Sequence, residues 1–425
     1  MADLLFTSYG FPATGAPTSR TMPDRLAEIH NVLDFGADPT GALNCSTAIQ
    51  AAVDVVSAAG RGTVYFPLGT YRIDTTITFN LDDELSIRFL GEGMGTTLSA
   101  NSLEGFVLER KLATPNNQAF VVIERMRVSN PSTDTASGGI RIGSTIHGCI
   151  RDVSLSGYVG LTTEDSAGNS SQNIYLNNCK IQSSAGASTR GLIIGGSGAM
   201  HGCDFIGSDI AVLAYGNGFH MAGQRIEDCN TAYQLGLDSA GNNVGMSGFS
   251  LNGSTEGNLI CIDMAGTCTG GFIGPIGMSG HEFTSGVGGG GDSQHGLLLR
   301  ADCAQGCVFF NLTPNSWFEV AGIEIEDATS RANNVFIACN PAIVGGAPGV
   351  PWILPTNAYT ARLFQCNVNP VWAYSELPSG GDVLEGDEFD IDDSNTATWG
   401  ATAAGGGSDN VSVRWNGSNY TVVGK

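Results

Sequence analysis

The sequence predicts an all-β protein: a right-handed single-stranded parallel β-helix with an N-terminal capping helix and a small C-terminal β tail. Three observations lead there. Two families of short, β-rich segments recur at steps of roughly 20–30 residues, the length of one turn of such a coil. Glycine supplies 60 of the 425 residues while charged residues make up only 14%, a profile suited to short strands joined by turns that need positive φ. One amphipathic helix stands ahead of the array, and no helix pattern long enough for βαβ crossovers lies within it.

The elements follow in order. Residues 1–30 are rich in Pro, Thr and Ser, too polar for a core, and read as a leader or attachment segment. Asn31-Val-Leu-Asp34-Phe-Gly-Ala37 reads as a short strand entering a glycine turn. Thr47 and Gln50 have the spacing of a capping box. The helix they open carries Ile49, Ala52, Val53 and Val56 on one face, with Gly60 past its end. Such a helix covers the open end of a stacked core, which would otherwise expose apolar side chains and strand edges. Residues 62–67 and 70–73 read as strands.

The repeat then runs to about residue 345, giving a β-helix domain over 31–345 of about ten coils. One strand family includes the segments starting at Gly139, Gly191, Ile210, Tyr233, Leu259, Gly296 and Gly322. The second, interleaved with it, includes those starting at Ile150, Ile174, Gly202, Ile226, Met246, Ile273, Val308 and Val335. The spacing stretches between Ile273 and Val308 around a Gly-rich insertion, His281 to Asp292. That insertion must project as a loop, and loops on one face of a solenoid often build its binding site. A connecting segment, 346–381, leads to a tail, 382–425, that ends in a hairpin of Val411–Trp415 and Tyr420–Val423.

Charge and cysteine content exclude several functions. A formal net charge of −22 repels phosphate backbones and anionic lipid, so neither nucleic acid nor a membrane is expected as partner. No run of about 18 apolar residues suggests a transmembrane helix. The start lacks a basic n-region and a long apolar stretch, so no signal peptide is expected and synthesis in the cytoplasm is. Eleven cysteines without a CxxC pair read as free, buried thiols. Cys303 and Cys307 lack suitably spaced histidines, so no metal site and no cofactor are expected.

The opening from Asn31 to Tyr71 resembles that of the pectate-lyase-like superfamily found in bacteriophage tailspikes and related polysaccharide depolymerases. Three motifs carry the resemblance: Asn31-Val-Leu-Asp34-Phe-Gly-Ala37, then Thr47-Ala-Ile-Gln50-Ala-Ala52, then Gly62-Thr-Val-Tyr-Phe-Pro67-Leu-Gly69-Thr-Tyr71. The family's Asp pair before the helix is replaced by Asn44-Cys45-Ser46. The run from Arg20 to Leu26 looks like the leader of phage and prophage tail proteins, and the ending from Val413 to Lys425 is similar to their terminal segments. The resemblance implies a right-handed β-helix, a homotrimer, a bacterial surface glycan as ligand and a place in the virion, the N-terminus meeting a tail or baseplate protein. It carries over no catalytic residues. The His-Gly and Arg-x-Lys signatures of polygalacturonases, and the Asp/Arg calcium site of pectate lyases, have no counterpart here.

Glycoside hydrolysis needs two carboxyl groups, about 5–5.5 Å apart for retention and about 6.5–9.5 Å for inversion. Adjacent coils set equivalent residues about 4.8 Å apart, so acids one repeat apart are the natural search. Asp152, Asn178, Asp204, Asp228, Gly248 and Asn311 align in one column that reads first as a turn ladder. Stacked ionised Asp are costly, which leaves room for catalysis or cation binding at Asp204 and Asp228. Glu227 adjoins them and would face away from Asp228 in a regular strand. A second column, Asp165, Asp238, Asp263, Asp302 and Asp327, reads as turn residues. Glu256, Glu282 and Glu319 stand apart from both columns. Trp317 beside Glu319 offers a sugar platform, and His281 with Glu282 roots the long loop. Arg225 and Arg300 could hold an anionic sugar. The candidates are therefore Asp204, Glu227, Asp228, Glu282 and Glu319 for catalysis, and Arg225, His281, Trp317 and Glu256 for binding.

Three functions follow. The first is an endo-acting glycan depolymerase, hydrolase before lyase. The second is a non-catalytic glycan-binding spike. A third, an epimerase or transferase, stands behind them.

Overall fold

A computed structural model describes residues 10–11, 20–21, 28–79, 86–101, 103–110, 117–143, 145–164, 171–183, 188–279, 293–300, 303–314, 318, 320–326, 334–339, 341, 350–353, 362–364, 371–372, 374, 377 and 388–424. Its contacts divide the chain into two units, 1–209 and 210–425.

In the first unit the chain winds as a parallel β-helix. Ile29–Asn31 pairs in parallel with Arg61–Phe66, that strand with Ser86–Gly91, and that one with Asn117–Ser129. Thr145–Gly157 and Ser171–Asn177 continue the stack. The register lines up Val64, Phe89, Ile123, Ile150, Leu176 and Met200, all buried. Each of these strands is covered by the next coil, which removes the free edges that would otherwise aggregate. The second unit repeats the scheme, with Leu251, Ile273, Phe309 and Phe336 in one column. The Phe309 and Phe336 rings stack with centroids 4.5 Å apart.

One turn recurs at the same place in successive coils of the first unit. Arg125, Asp152, Asn178 and Gly202 all take positive φ there. Asp and Asn tolerate this left-handed conformation better than most residues, and Asn178 Nδ2 donates to Asp152 Oδ1 at 2.6 Å. Asp204 is not in this column, contrary to the expected alignment. Gly202 holds the turn, and Asp204 pairs two residues later with Lys180. Gly248 also leaves the column: register places it with Gly218, Gly270 and Gly306, in a separate positive-φ turn of the second unit.

The capping helix, α1 (Ser46–Ala59), buries Ile49, Ala52, Val53 and Val56 as its apolar spacing predicts and ends on left-handed Gly60. Its start differs from the expected capping box. Cys45 is the N-cap and makes no side-chain capping bond. Gln50 instead spans to the first coil, donating to Thr78 O and accepting from Thr78 N. A long-range strand partner outcompetes the local cap.

In the second unit, parallel pairing continues through Val350–Ile353 and Arg362–Phe364, past the expected end of the coil at 345. The C-terminal tail is a four-stranded sheet. It contains the predicted hairpin, Asp409–Trp415 against Tyr420–Gly424, and adds Glu388–Ser394 and Val371–Trp372. Ile391, Ala403, Val411, Val413, Tyr420 and Val422 form its own core. The ten described cysteines are free, all buried except the half-buried Cys149. Among the described residues no helix is long and apolar enough to cross a membrane.

Candidate functional site

One face of the second unit gathers charged residues that pair with one another. It is built from the strands Thr231–Leu235, Ile260–Met264, His295–Leu299 and Ala321–Ile325, stacked in parallel. Register sets Gln234, Asp263, Leu298 and Glu324 in one row and Thr231, Ile260, His295 and Ala321 in another. Between the rows the ladder omits Cys261, Gly296 and Gly322, so each strand bends at that point. A side chain at Gly296 would strike Gly322 O and come within 2.9 Å of Pro314 Cγ, which is why the bend carries small residues. The bend turns His295 to the same side as residue 298, three positions on, and so within reach of Glu324.

The contacts on this face are specific. His295 Nε2 lies 2.6 Å from Glu324 Oε2. Arg300 donates to Asp263 through Nε at 2.7 Å and Nη2 at 3.1 Å, and Gln234 Nε2 donates to the same carboxylate at 3.2 Å. Hydrogen bonding to Asp263 raises the Arg300 pKa, against the opposing effect of burial. Arg300 Nη1 also faces Glu326 Oε1 at 4.0 Å. Asp263 is enclosed, with a side chain only 1% exposed, whereas Arg300 and Glu326 are 41% and 37% exposed. The cluster therefore opens to solvent at the carboxyl-terminal ends of its strands.

This arrangement can do two kinds of chemistry. Glu324 and Glu326 flank buried Ile325, Glu324 within strand Ala321–Ile325 and Glu326 just past its end. Two carboxyl groups placed so close in the chain are candidates to flank a glycosidic bond. A histidine oriented by a carboxylate, on the same face as a half-exposed guanidinium, also suits proton abstraction next to an anionic sugar carboxylate.

Of the residues selected from sequence, the structure brings together Arg225, Glu227 and Glu256, on a different sheet of the second unit. Arg225 ion-pairs with Glu227 on its own strand, and Glu227 pairs in register with Glu256 one coil on. Asp228 follows as an exposed turn residue with positive φ, its N–H donating to Glu256 O at 3.2 Å. Asp204 lies in the first unit, half-buried, its N–H donating to Cys179 O. Glu282, Glu319, His281 and Trp317 lie outside the described residues, as do Asp165, Asp302 and Asp327.

Within the second Asp column, Asp238 is the expected turn residue, accepting from Ala240 N and Asn242 N. Asp263 is not. It sits inside strand Ile260–Met264, where the Arg300 fork compensates a buried charge. Sequence reading missed His295, Glu324 and Glu326 as site residues. Aligning Gly296–Leu299 with Gly322–Ile325 would have placed Glu324 in one row with Asp263. Strict alternation, however, assigns His295 to the interior beside Leu297, because it does not allow for the bend.

Residues 29–258 match the family model described as rhamnogalacturonase A/epimerase, pectate lyase-like; the cluster from Asp263 onward lies past that match. Mannuronan C5-epimerase AlgE3 of Azotobacter vinelandii is 43% identical over 75 residues, 16% of this chain and 4% of that protein. Alginate lyase 7 of the same organism is 42% identical over 72 residues, 16% and 8% of the two chains. The chain thus spans only a small part of these relatives' length. Among solved structures, the tailspike protein of E. coli bacteriophage HK620 in complex with pentasaccharide aligns with a TM-score of 0.61 at 14% identity, over 84% of this chain and 71% of that one. Geobacillus virus E2 ORF18 aligns with a TM-score of 0.56 at 16% identity, over 95% and 77%. At such identities the likeness is one of fold.

Proposed function

Because the chain belongs to the rhamnogalacturonase A/epimerase, pectate-lyase-like family, we propose that it is a tailspike-like depolymerase of a bacterial surface polysaccharide, cleaving glycosidic bonds by two-carboxylate hydrolysis. The observation that carries this reading is the pair Glu324 and Glu326, flanking Ile325, with Arg300 against Glu326 and His295 against Glu324. Glu324, the more enclosed, is assigned as the acid that protonates the leaving oxygen. Glu326, open to solvent, is the base that activates water, as in an inverting site. Arg300, held by Asp263, positions the sugar.

The His295–Glu324 hydrogen bond favours a second reading, a lyase. There His295 takes the C5 proton of a uronic acid whose carboxylate Arg300 neutralises. The C4–O4 bond breaks as the C4–C5 double bond forms, and the leaving oxygen takes a proton from water. Incubation with purified capsular polysaccharides or O-antigen separates the two. New reducing ends without ultraviolet absorbance mean hydrolysis, and an unsaturated, absorbing product means elimination. A chain that binds these glycans and releases no oligosaccharide is a binding spike, and the depolymerase reading then fails. The tailspike likeness in fold also supports a homotrimer carried on a phage tail, attached through the N-terminal segment.

A further inference from the structure

The first unit carries a second surface with the chemistry of a glycan platform. On the outer side of the stacked strands Asn117–Ser129, Thr145–Gly157, Ser171–Asn177 and Arg190–His201, the side chains of Phe120 and Tyr175 are 43% and 49% exposed. Phe120 pairs in register with His147, their rings 6.4 Å apart. Tyr175 lies one coil beyond His147 and one step further across the sheet. Its neighbours in register are the small residues Cys149 and Ala199, and it stays half-exposed between them. Beside it runs the row Arg151, Asn177 and His201, also paired in register and all exposed.

The pattern is an oblique aromatic stripe crossing three coils. It extends about 10 Å along the stack and about 7 Å across it, the length of roughly two sugar rings. Polar groups of both hydrogen-bonding kinds border one side. Single exposed apolar residues are ordinary, and only a contiguous patch such as this stripe points to a partner surface. A pyranose matches this one because its CH face is apolar and its rim carries hydroxyls that need donors and acceptors. A protein interface would call for a broader apolar core than this narrow stripe supplies, and an anionic membrane is repelled by the net charge of −22.

We propose that the face formed by Phe120, His147 and Tyr175, bordered by Arg151, Asn177 and His201, is a non-catalytic binding site for a polysaccharide chain. It is independent of the charged cluster in the second unit and stands whether or not that cluster cleaves.

The test uses the full chain carrying Glu324→Gln, so that any ligand remains intact, against biosensor surfaces bearing alginate, polygalacturonate or bacterial O-antigen polysaccharide. Phe120→Ala with Tyr175→Ala is expected to raise Kd by about tenfold, as loss of a half-covered aromatic face implies. Tyr175→Phe should bind as its parent does. Both side chains are half-exposed, so thermal midpoints should stay unchanged. Amide exchange of Ser171–Asn177 should slow when the glycan binds. Equal binding by the double alanine variant, or no binding of the parent to any of the three glycans, overturns the proposal. Loss of cleavage in the Glu324→Gln parent alone tests the other reading and leaves this one untouched.

Discussion

Arg300 grips Asp263 at two points, Nε to Oδ1 and Nη2 to Oδ2, joining a half-exposed guanidinium to a fully buried carboxylate. The pair fixes one cation at the open end of the charged cluster. Asp263→Asn turns an acceptor into a donor facing the guanidinium. Unfolding stability should drop by about 1–3 kcal/mol, below the full cost of breaking a buried pair because solvent screens Arg300. Urea denaturation measures the drop. Arg300→Lys loses the fork and should weaken glycan binding while leaving the fold intact by circular dichroism.

Glu324→Gln and Glu326→Gln should each lower turnover by about 10²–10⁴-fold with glycan affinity nearly unchanged. Reducing-end release gives the rate and equilibrium binding the affinity. His295→Gln distinguishes the two chemistries. Under hydrolysis the loss is modest, since His295 only orients Glu324; under elimination it exceeds the loss from Glu326→Gln, since His295 is then the base.

Glu124 is buried between Arg88 and Arg151 in the first unit. Burial alone raises its pKa, but hydrogen bonds from Arg151 and Arg88 outweigh that effect and hold it below the ordinary 4.5. A depressed carboxylate contributes stability that is full above the unfolded value and lost as pH falls through the folded one. Stability of the parent should therefore fall below pH 4.5 more steeply than that of Glu124→Gln. The gap between them, wide at pH 6, should narrow in acid. Thermal midpoints at stepped pH give the comparison, and parallel curves contradict it.

Cysteine reactivity should report on coil opening. Burial pushes the Cys261 thiol up to about 12 and also raises that of Cys149, the half-buried member of the described set. Alkylation near neutral pH should label Cys149 before the other described cysteines, and Cys261 only after unfolding. Peptide mapping by mass spectrometry reads the order. Early labelling of Cys261 in the native protein would contradict its burial.

If the chain forms the homotrimer proposed for it, light scattering should give about three times the 44.0 kDa of one chain. A monomer at micromolar concentration contradicts that assembly.

The fold was legible because its signals are local and repeat. Ile49, Ala52, Val53 and Val56 mark one helix face, Gly60 its end, and Asp152 with Asn178 a turn that favours their side chains. The capping box was misread because Gln50 serves Thr78, 28 residues away, and no local pattern shows that. The site was harder to read for the same reason. Asp263 resembles other turn aspartates until Arg300, 37 residues on, is seen to hold it. Counting by twos also fails at Gly296, where the strand bends and His295 changes sides.

The ladder from Ile260 to His295 to Ala321 is continuous although the stretch 280–292 intervenes between its first two rungs. The register of these strands is thus set by their own pairing and not by the length of sequence that joins them.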